Sequence, residues 1–216
     1  MKKIVLNLKA YTESSGSKGL KLAEIAGEVA IESGVDIIVC PQHWDLSLIA
    51  EKVDCKVFAQ HVDFNNPGAF TGSLTIEGLK NSGGAGTLIN HAEKKVGIEY
   101  VGKVVEKCDS LGLETLACAD SLEEAVEIDK LKPTMIALEP PELIGTGVSV
   151  STAKPDEIIE TVKLIKNSIP LAGAGISNAE DVKKAFDLGL EGVLLASAFV
   201  KSKDPKGFLE SLTRVF

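Results

Sequence analysis

Met135-Ile136-Ala137-Leu138-Glu139-Pro140-Pro141-Glu142-Leu143-Ile144-Gly145-Thr146-Gly147 joins a short apolar run to a carboxylate, two prolines and a glycine-containing segment without helical periodicity. The run reads as a strand that ends at Glu139. Pro140 and Pro141 fix φ, and a proline also restricts the residue before it, so the chain leaves the strand along a stiff path. Gly145 and Gly147 open backbone conformations closed to other residues and let main-chain N–H groups approach a ligand. The pattern is that of an acid at a strand end beside a lid on stiff hinges, residues 140–147. Alone, the stretch fits a solvated glutamate and an ordinary connecting loop somewhat better. The rest of the chain reverses that balance.

Comparable apolar runs stand on both sides of it, at 4–9, 35–40, 56–60, 86–90, 113–118, 134–138, 169–172 and 193–195. Helical patterns lie between them. Leu22, Ile25, Ala26, Val29 and Ala30 follow the i, i+3, i+4, i+7, i+8 spacing, and Val101, Val104, Val105 and Cys108 mark another buried face. Further helices are predicted over 46–53, 75–81, 155–167 and 178–188, with a last one around Phe208, Leu209 and Leu212. Ser121-Leu122-Glu123-Glu124 opens another with a capping-box pattern. Strands alternating with helices imply parallel pairing through right-handed crossovers. Eight such repeats, with no composition shift to mark a linker, fit a closed (β/α)8 barrel over residues 1–216 better than an open doubly wound sheet.

Composition narrows the function classes. The chain has 216 residues, 44% hydrophobic and 25% charged, which is ordinary for a soluble protein with a sizeable core. Aromatics are only 5%, so Val, Ile, Leu and Ala must build that core. The formal net charge of −8 and the absence of a basic run disfavour nucleic acid and anionic membrane as partners. No apolar stretch reaches the length of a membrane span, and an apolar strand begins after two lysines, so a cytoplasmic protein is expected. Cys40, Cys55, Cys108 and Cys118 are scattered without a CxxC pair, which favours buried reduced thiols over disulfides or a zinc site.

In barrels of this kind reactive groups sit at the C-terminal ends of the strands. Asn7 and Lys9 stand on alternate positions of the first run, hence on one side of its pleat. The fourth run ends in Asn90-His91 and the sixth in Glu139. The seventh and eighth end in small residues, Gly173-Ala174-Gly175 and Ala196-Ser197. A base, an imidazole, an ammonium and an amide thus converge on one mouth, opposite turns whose N–H groups can cradle a phosphate. A single strand-end Lys reaches solvent more often than substrate, and a single His is as often a cap as a catalyst. Four reactive types at the correct ends of the strands are more than coincidence supplies. His43 and His61 also flank strand ends and receive no role.

Asn7-Leu8-Lys9, Leu88-Ile89-Asn90-His91-Ala92-Glu93, Glu139 to Gly147 and the 173–175 turn, in that order, resemble triosephosphate isomerase in its shorter archaeal form. The resemblance covers essentially the whole chain. It implies interconversion of dihydroxyacetone phosphate and D-glyceraldehyde 3-phosphate through an enediolate, in glycolysis and gluconeogenesis, without metal or organic cofactor. It implies that Glu139 is the proton-abstracting base, His91 the neutral electrophile and Lys9 the electrostatic anchor, with Asn7 beside it. Ile144 and Gly145 would cover the substrate, while Gly145, Gly175, Ala196 and Ser197 would donate main-chain N–H groups to its phosphate. It further implies a homo-oligomer, dimer or tetramer, joined through the long loop 61–72 with Thr71 near the neighbour's site. Ala92 stands where the family usually carries Ser, and Ala196-Ser197 where longer relatives carry two glycines. Two other readings remain open at this point: a different phosphate-binding barrel isomerase or lyase, and a barrel that binds a ligand without turning it over.

Overall fold

Strand residues alternate between two apolar environments, and that alternation makes a barrel. Val5, Ile38, Phe58, Leu88, Leu116, Met135, Leu171 and Leu194 meet one another in an inner cluster. Their chain neighbours Ile4, Leu6, Ile37, Val39, Ile89, Ile136 and Val193 belong to an outer cluster that also contains the helix faces. A sheet apolar on both sides needs side chains inside and helices outside.

The computed structural model describes residues 2–143 and 149–216. In order the elements are β1 (Lys3–Asn7), α1 (Ser17–Ser33), β2 (Asp36–Cys40), α2 (Leu46–Lys52), β3 (Lys56–Ala59), α3 (Ile76–Asn81), β4 (Gly86–Ile89), α4 (Ile98–Ser110) and β5 (Glu114–Ala119). Then follow α5 (Leu122–Asp129), β6 (Met135–Leu138), α6 (Val150–Ala153), α7 (Pro155–Leu164), β7 (Ile169–Ala172), α8 (Ala179–Asp187), β8 (Gly192–Leu195), α9 (Ser197–Val200) and α10 (Pro205–Thr213). The strands close in sequence order, every pairing is parallel, and β1 meets β8 with Lys3 opposite Gly192 and Leu6 opposite Leu195. This is the expected (β/α)8 barrel.

The interior is filled by matching sizes. Phe58 is fully buried, and a Cβ on Gly86 of the next strand would come within 2.7 Å of its ring. On the outside, α4 buries Val101, Val104, Val105 and Cys108 along one stripe. Each aliphatic side chain so buried is worth roughly 1.5–3 kcal/mol, which outweighs the weak intrinsic preference of valine for helix. At the N-terminal end of the barrel Lys3 pairs with Asp36 and Lys56 with Glu114, binding β1, β2, β3 and β5 far from the reactive mouth.

Three expectations need correction. The first strand stops at Asn7, and Lys9 lies beyond it with φ +48°, so Asn7 and Lys9 are brought together by a turn and not by the pleat. The helix expected over 155–167 ends at Leu164. Asp129 accepts hydrogen bonds from the N–H groups of Lys166 and Asn167, and this pulls the chain out of the helix. The short helices α6 and α9 were not expected, because four residues carry no readable period. The cysteines agree with the reading: all four are free, and Cys40, Cys108 and Cys118 are buried.

Candidate active site

Glu139 follows Leu138 at the end of β6, where the alternation turns its side chain inward. Its N–H donates to Ala119 O at 2.8 Å, which extends the strand ladder by one residue and fixes the Cα. Glu139 is 2% exposed, and its Oε2 is buried without a hydrogen-bond partner. Burial pushes its pKa up to about 8, against the downward pull of the Cys118 thiol and the Lys9 ammonium. Gly173, at the end of β7, makes the room. A Cβ there would lie 2.3 Å from Glu139 Cγ and 3.0 Å from Leu138 O.

His91 reaches the same place from β4. Asn90 precedes it with φ +61°, a left-handed conformation that Asn tolerates, and this breaks the strand alternation. The Asn90 amide is fully used. Nδ2 donates to Cys118 O and Glu124 Oε1, both at 2.9 Å, and Oδ1 accepts from Val96 N and Gly97 N at 3.1 and 3.2 Å. His91 then caps a 3-10 turn, Ala92–Lys94, with Nδ1 accepting the Glu93 N–H at 3.1 Å. A ring nitrogen that accepts carries no proton, so the neutral ring holds its hydrogen on Nε2. Nε2 stands 3.5 Å from Glu139 Oε1. Burial first and the Lys9 ammonium second lower the His91 pKa to about 4, so the ring is neutral at physiological pH.

Lys9 completes the group from the turn after β1. Its N–H donates to Asn7 Oδ1 at 3.0 Å, and its Nζ to Glu93 Oε1 at 2.7 Å. Holding a lysine at positive φ costs roughly 1–2 kcal/mol, a strain of the kind that surroundings enforce at reactive sites.

These residues line one cavity of about 350 Å3, together with Tyr11, Ser177 and the ends of β7 and β8. Asn7, Lys9, His91, Glu139, Gly175, Ala196 and Ser197 all face it. Gly175 has φ +71°, and Ser197 opens α9, whose first N–H groups have no partner inside the helix. The cavity therefore has a carboxylate and an imidazole in contact, an ammonium on one wall, and backbone donors on the other.

Over residues 2–214 the chain matches the family model described as triosephosphate isomerase. The chain belongs to the triosephosphate isomerase family. A triosephosphate isomerase of Methanocaldococcus jannaschii is 47% identical over 215 residues, 98% of each chain. One of Methanothermus fervidus is 46% identical over 97% of this chain and 96% of its own. One of Methanobacterium bryantii is 45% identical over 97% and 94%.

Of the residues that the triosephosphate isomerase resemblance singled out, Ile144 and Gly145 lie outside the described residues. Asn7, Lys9, His91, Glu139, Gly175, Ala196 and Ser197 meet in the cavity, and Thr71 lies outside it. Several neighbours received no individual role in the sequence reading. Glu93, Cys118 and Ser177 act on or beside the group, and Gly173 gives Glu139 its space. Asn178, which caps α8 by accepting the Asp181 N–H at 3.0 Å, was a readable signal beside Ser177, whereas nothing in sequence joins Cys118 to Glu139. His43 and His61 are structural: His43 Nε2 bonds His61 O at 2.8 Å, and His61 meets Asp63 at 3.3 Å.

Proposed function

We propose that the chain, a single catalytic domain over residues 1–216, interconverts dihydroxyacetone phosphate and D-glyceraldehyde 3-phosphate as an aldose–ketose isomerase of glycolysis and gluconeogenesis. The ionised Glu139 takes a proton from the carbon next to the carbonyl. The electron pair moves onto the carbonyl oxygen, and the Nε2–H of His91 stabilises the resulting enediolate. Glu139 then returns the proton to the neighbouring carbon, while the substrate's hydroxyl proton passes to the former carbonyl oxygen by way of His91 Nε2, so no atom is gained or lost. Lys9 holds the negative charge of substrate and enediolate, with Asn7 shaping its turn. Gly175, Ala196 and Ser197 present backbone donors to the phosphate, and Ile144 and Gly145 cover it. The reaction requires no metal or organic cofactor.

The observation that carries this reading is the 3.5 Å contact between a buried carboxylate and an imidazole whose other nitrogen is occupied as an acceptor. A neutral electrophile beside a base of raised pKa is the arrangement a weak carbon acid needs. Basicity near working pH and a donor aimed at the forming oxyanion act in one step. This pairing in triosephosphate isomerase is a standard illustration of pKa tuning.

A homo-oligomer, dimer or tetramer, assembled through loop 61–72 with Thr71 near the neighbour's site, accords with the apolar surface at that end. Trp44 is 91% exposed and Phe70 52%. Among the described residues no helix is long and apolar enough to cross a membrane. We place the protein in the cytoplasm, with neither membrane nor nucleic acid as partner.

The deciding experiment is a coupled assay with dihydroxyacetone phosphate, run on the wild type and on Glu139→Gln. Turnover is expected in the first, and a loss of ~10²–10⁴-fold or more in the second. A wild type without turnover, or a variant with unchanged kcat, would overturn the assignment.

A further inference from the structure

Lys9 adopts a backbone conformation that lysine disfavours, and something outside its own strand must hold it there. With φ +48° it is one of three non-glycine residues at positive φ among those described. Its N–H is held by Asn7 Oδ1. Its carbonyl is held from another strand: Gln60 Nε2 donates to Lys9 O at 3.0 Å. The same nitrogen donates to Cys40 O, also at 3.0 Å. Cys40 O in turn accepts the Leu8 N–H at 3.0 Å, so the end of β2 ties both sides of the Lys9 turn.

Gln60 follows β3, and β3 pairs with β2 through Ile38 opposite Lys56 and Val39 opposite Val57. That register delivers its side chain between the ends of β1 and β2. Both of its partners are carbonyl oxygens, so the amide nitrogen must point at them. The chemistry is selective. One NH2 group offers two N–H bonds to two acceptors, an ionised carboxylate offers none, and a thioether of similar length offers none. Among the described residues Gln60 does not line the cavity, and its hydrogen bonds reach the site through the turn that carries Lys9.

We infer that Gln60 is a positioning residue for the reaction. It locks the Lys9 turn in its strained form, so that the ammonium already stands at the cavity wall before substrate arrives. The inference rests on the reading of Lys9 as the group that holds the substrate dianion. A lysine released from this turn would relax to negative φ, and its ammonium would have to be reordered at each binding event. That penalty falls on binding more than on proton transfer.

Gln60→Met removes both donors at nearly constant volume, and Gln60→Glu replaces them with acceptors. In both, KM for dihydroxyacetone phosphate and Ki for inorganic phosphate should rise roughly tenfold, with kcat changed by less than about twofold. Added to Lys9→Ala, the Gln60→Met change should leave phosphate affinity where Lys9→Ala alone puts it, because the two act as one unit. A crystal structure of Gln60→Met should show residue 9 at negative φ. Unchanged KM and Ki, an effect confined to kcat, additive losses in the double variant, or φ still positive at residue 9 would each overturn the inference. So would variants that fail to fold in both cases, since Gln60 would then be a structural residue. A wild type without isomerase activity would refute the assigned reaction instead, and that outcome is read separately from the variants.

Discussion

A carboxylate with one oxygen buried and unpaired is a cost that Glu139 carries in the folded state. Its pKa rises from the ordinary 4.5 to about 8, chiefly by burial. Between those values the folded chain keeps a proton that the unfolded chain has lost, so stability falls as pH rises through the window. Glu139→Gln does not titrate. Its stability relative to the wild type should rise by a few kcal/mol between pH 4 and pH 8, while activity is lost. Melting curves at both pH values test this, and a margin independent of pH would count against the raised pKa. Gly173→Ala probes the same residue from behind. A Cβ placed 2.3 Å from Glu139 Cγ must displace that carboxylate or the strand end. Activity should fall by ~10²-fold or more, since small misplacements of reacting groups have effects of that size. Steady-state kinetics on a folded variant would settle it.

At the scale of elements, half-buried acids hold the connections that surround the cavity. Glu124 begins as half of a capping box in α5, but its carboxylate accepts from Asp120 N and Asn90 Nδ2 and pairs with Lys95. A helix cap has been turned into a brace for the His91 loop. Asp63 does the same at the root of loop 61–72, accepting from Leu74 N at 2.8 Å, the Tyr100 hydroxyl at 2.9 Å and the Ser73 hydroxyl at 3.0 Å. Burial raises its pKa, but these bonds prevail and lower it from 3.8 to about 2. A depressed carboxyl stabilises the fold above its unfolded pKa, and the gain is lost as pH falls through the folded value. Asp63→Asn should therefore destabilise the protein by about 1–2 kcal/mol at pH 7. Denaturant titrations should show the difference shrinking between pH 4 and pH 2. The stretch 140–147 is tested by product partitioning. Deleting 144–146 should slow isomerisation and release inorganic phosphate and methylglyoxal, because an enediolate phosphate exposed to water expels its phosphate. NMR of the products would show it, and an enzyme as fast as wild type would remove the lid.

On the scale of the whole molecule, the surface is uneven. Trp44, Leu48, Phe70 and Leu74 are 91%, 45%, 52% and 37% exposed. A cavity of about 230 Å3, lined by Leu46, Ala59, Val62, Leu74 and Leu79, opens between α2 and the root of loop 61–72. Aromatic anchors beside an apolar pocket are what a self-complementary interface requires. Sedimentation velocity should find an oligomer, and Trp44→Lys should shift it toward monomer by at least about tenfold in the dissociation constant. An active wild-type monomer at low concentration would contradict this.

The barrel, and several of the residues that line its mouth, could be read from the chain alone. Alternating apolar runs carry the period of strands, stripes at helical spacing carry that of helices, and both are local properties of the chain. Glu139 and His91 were legible as cavity-lining groups because strand ends can be read along one chain, whereas Lys9 stands in the turn beyond its strand. What tertiary structure decided was everything that depends on contact between distant segments. Asn7 and Lys9 converge through a strained turn that Gln60 and Cys40 hold from other strands, a geometry no pleat rule gives. Asp129 ends a helix begun at Pro155 by capturing two N–H groups downstream of it. The opposite pKa shifts of Glu139 and His91 arise from burial that only closure of the barrel creates, because desolvation belongs to the assembled environment and not to the residue.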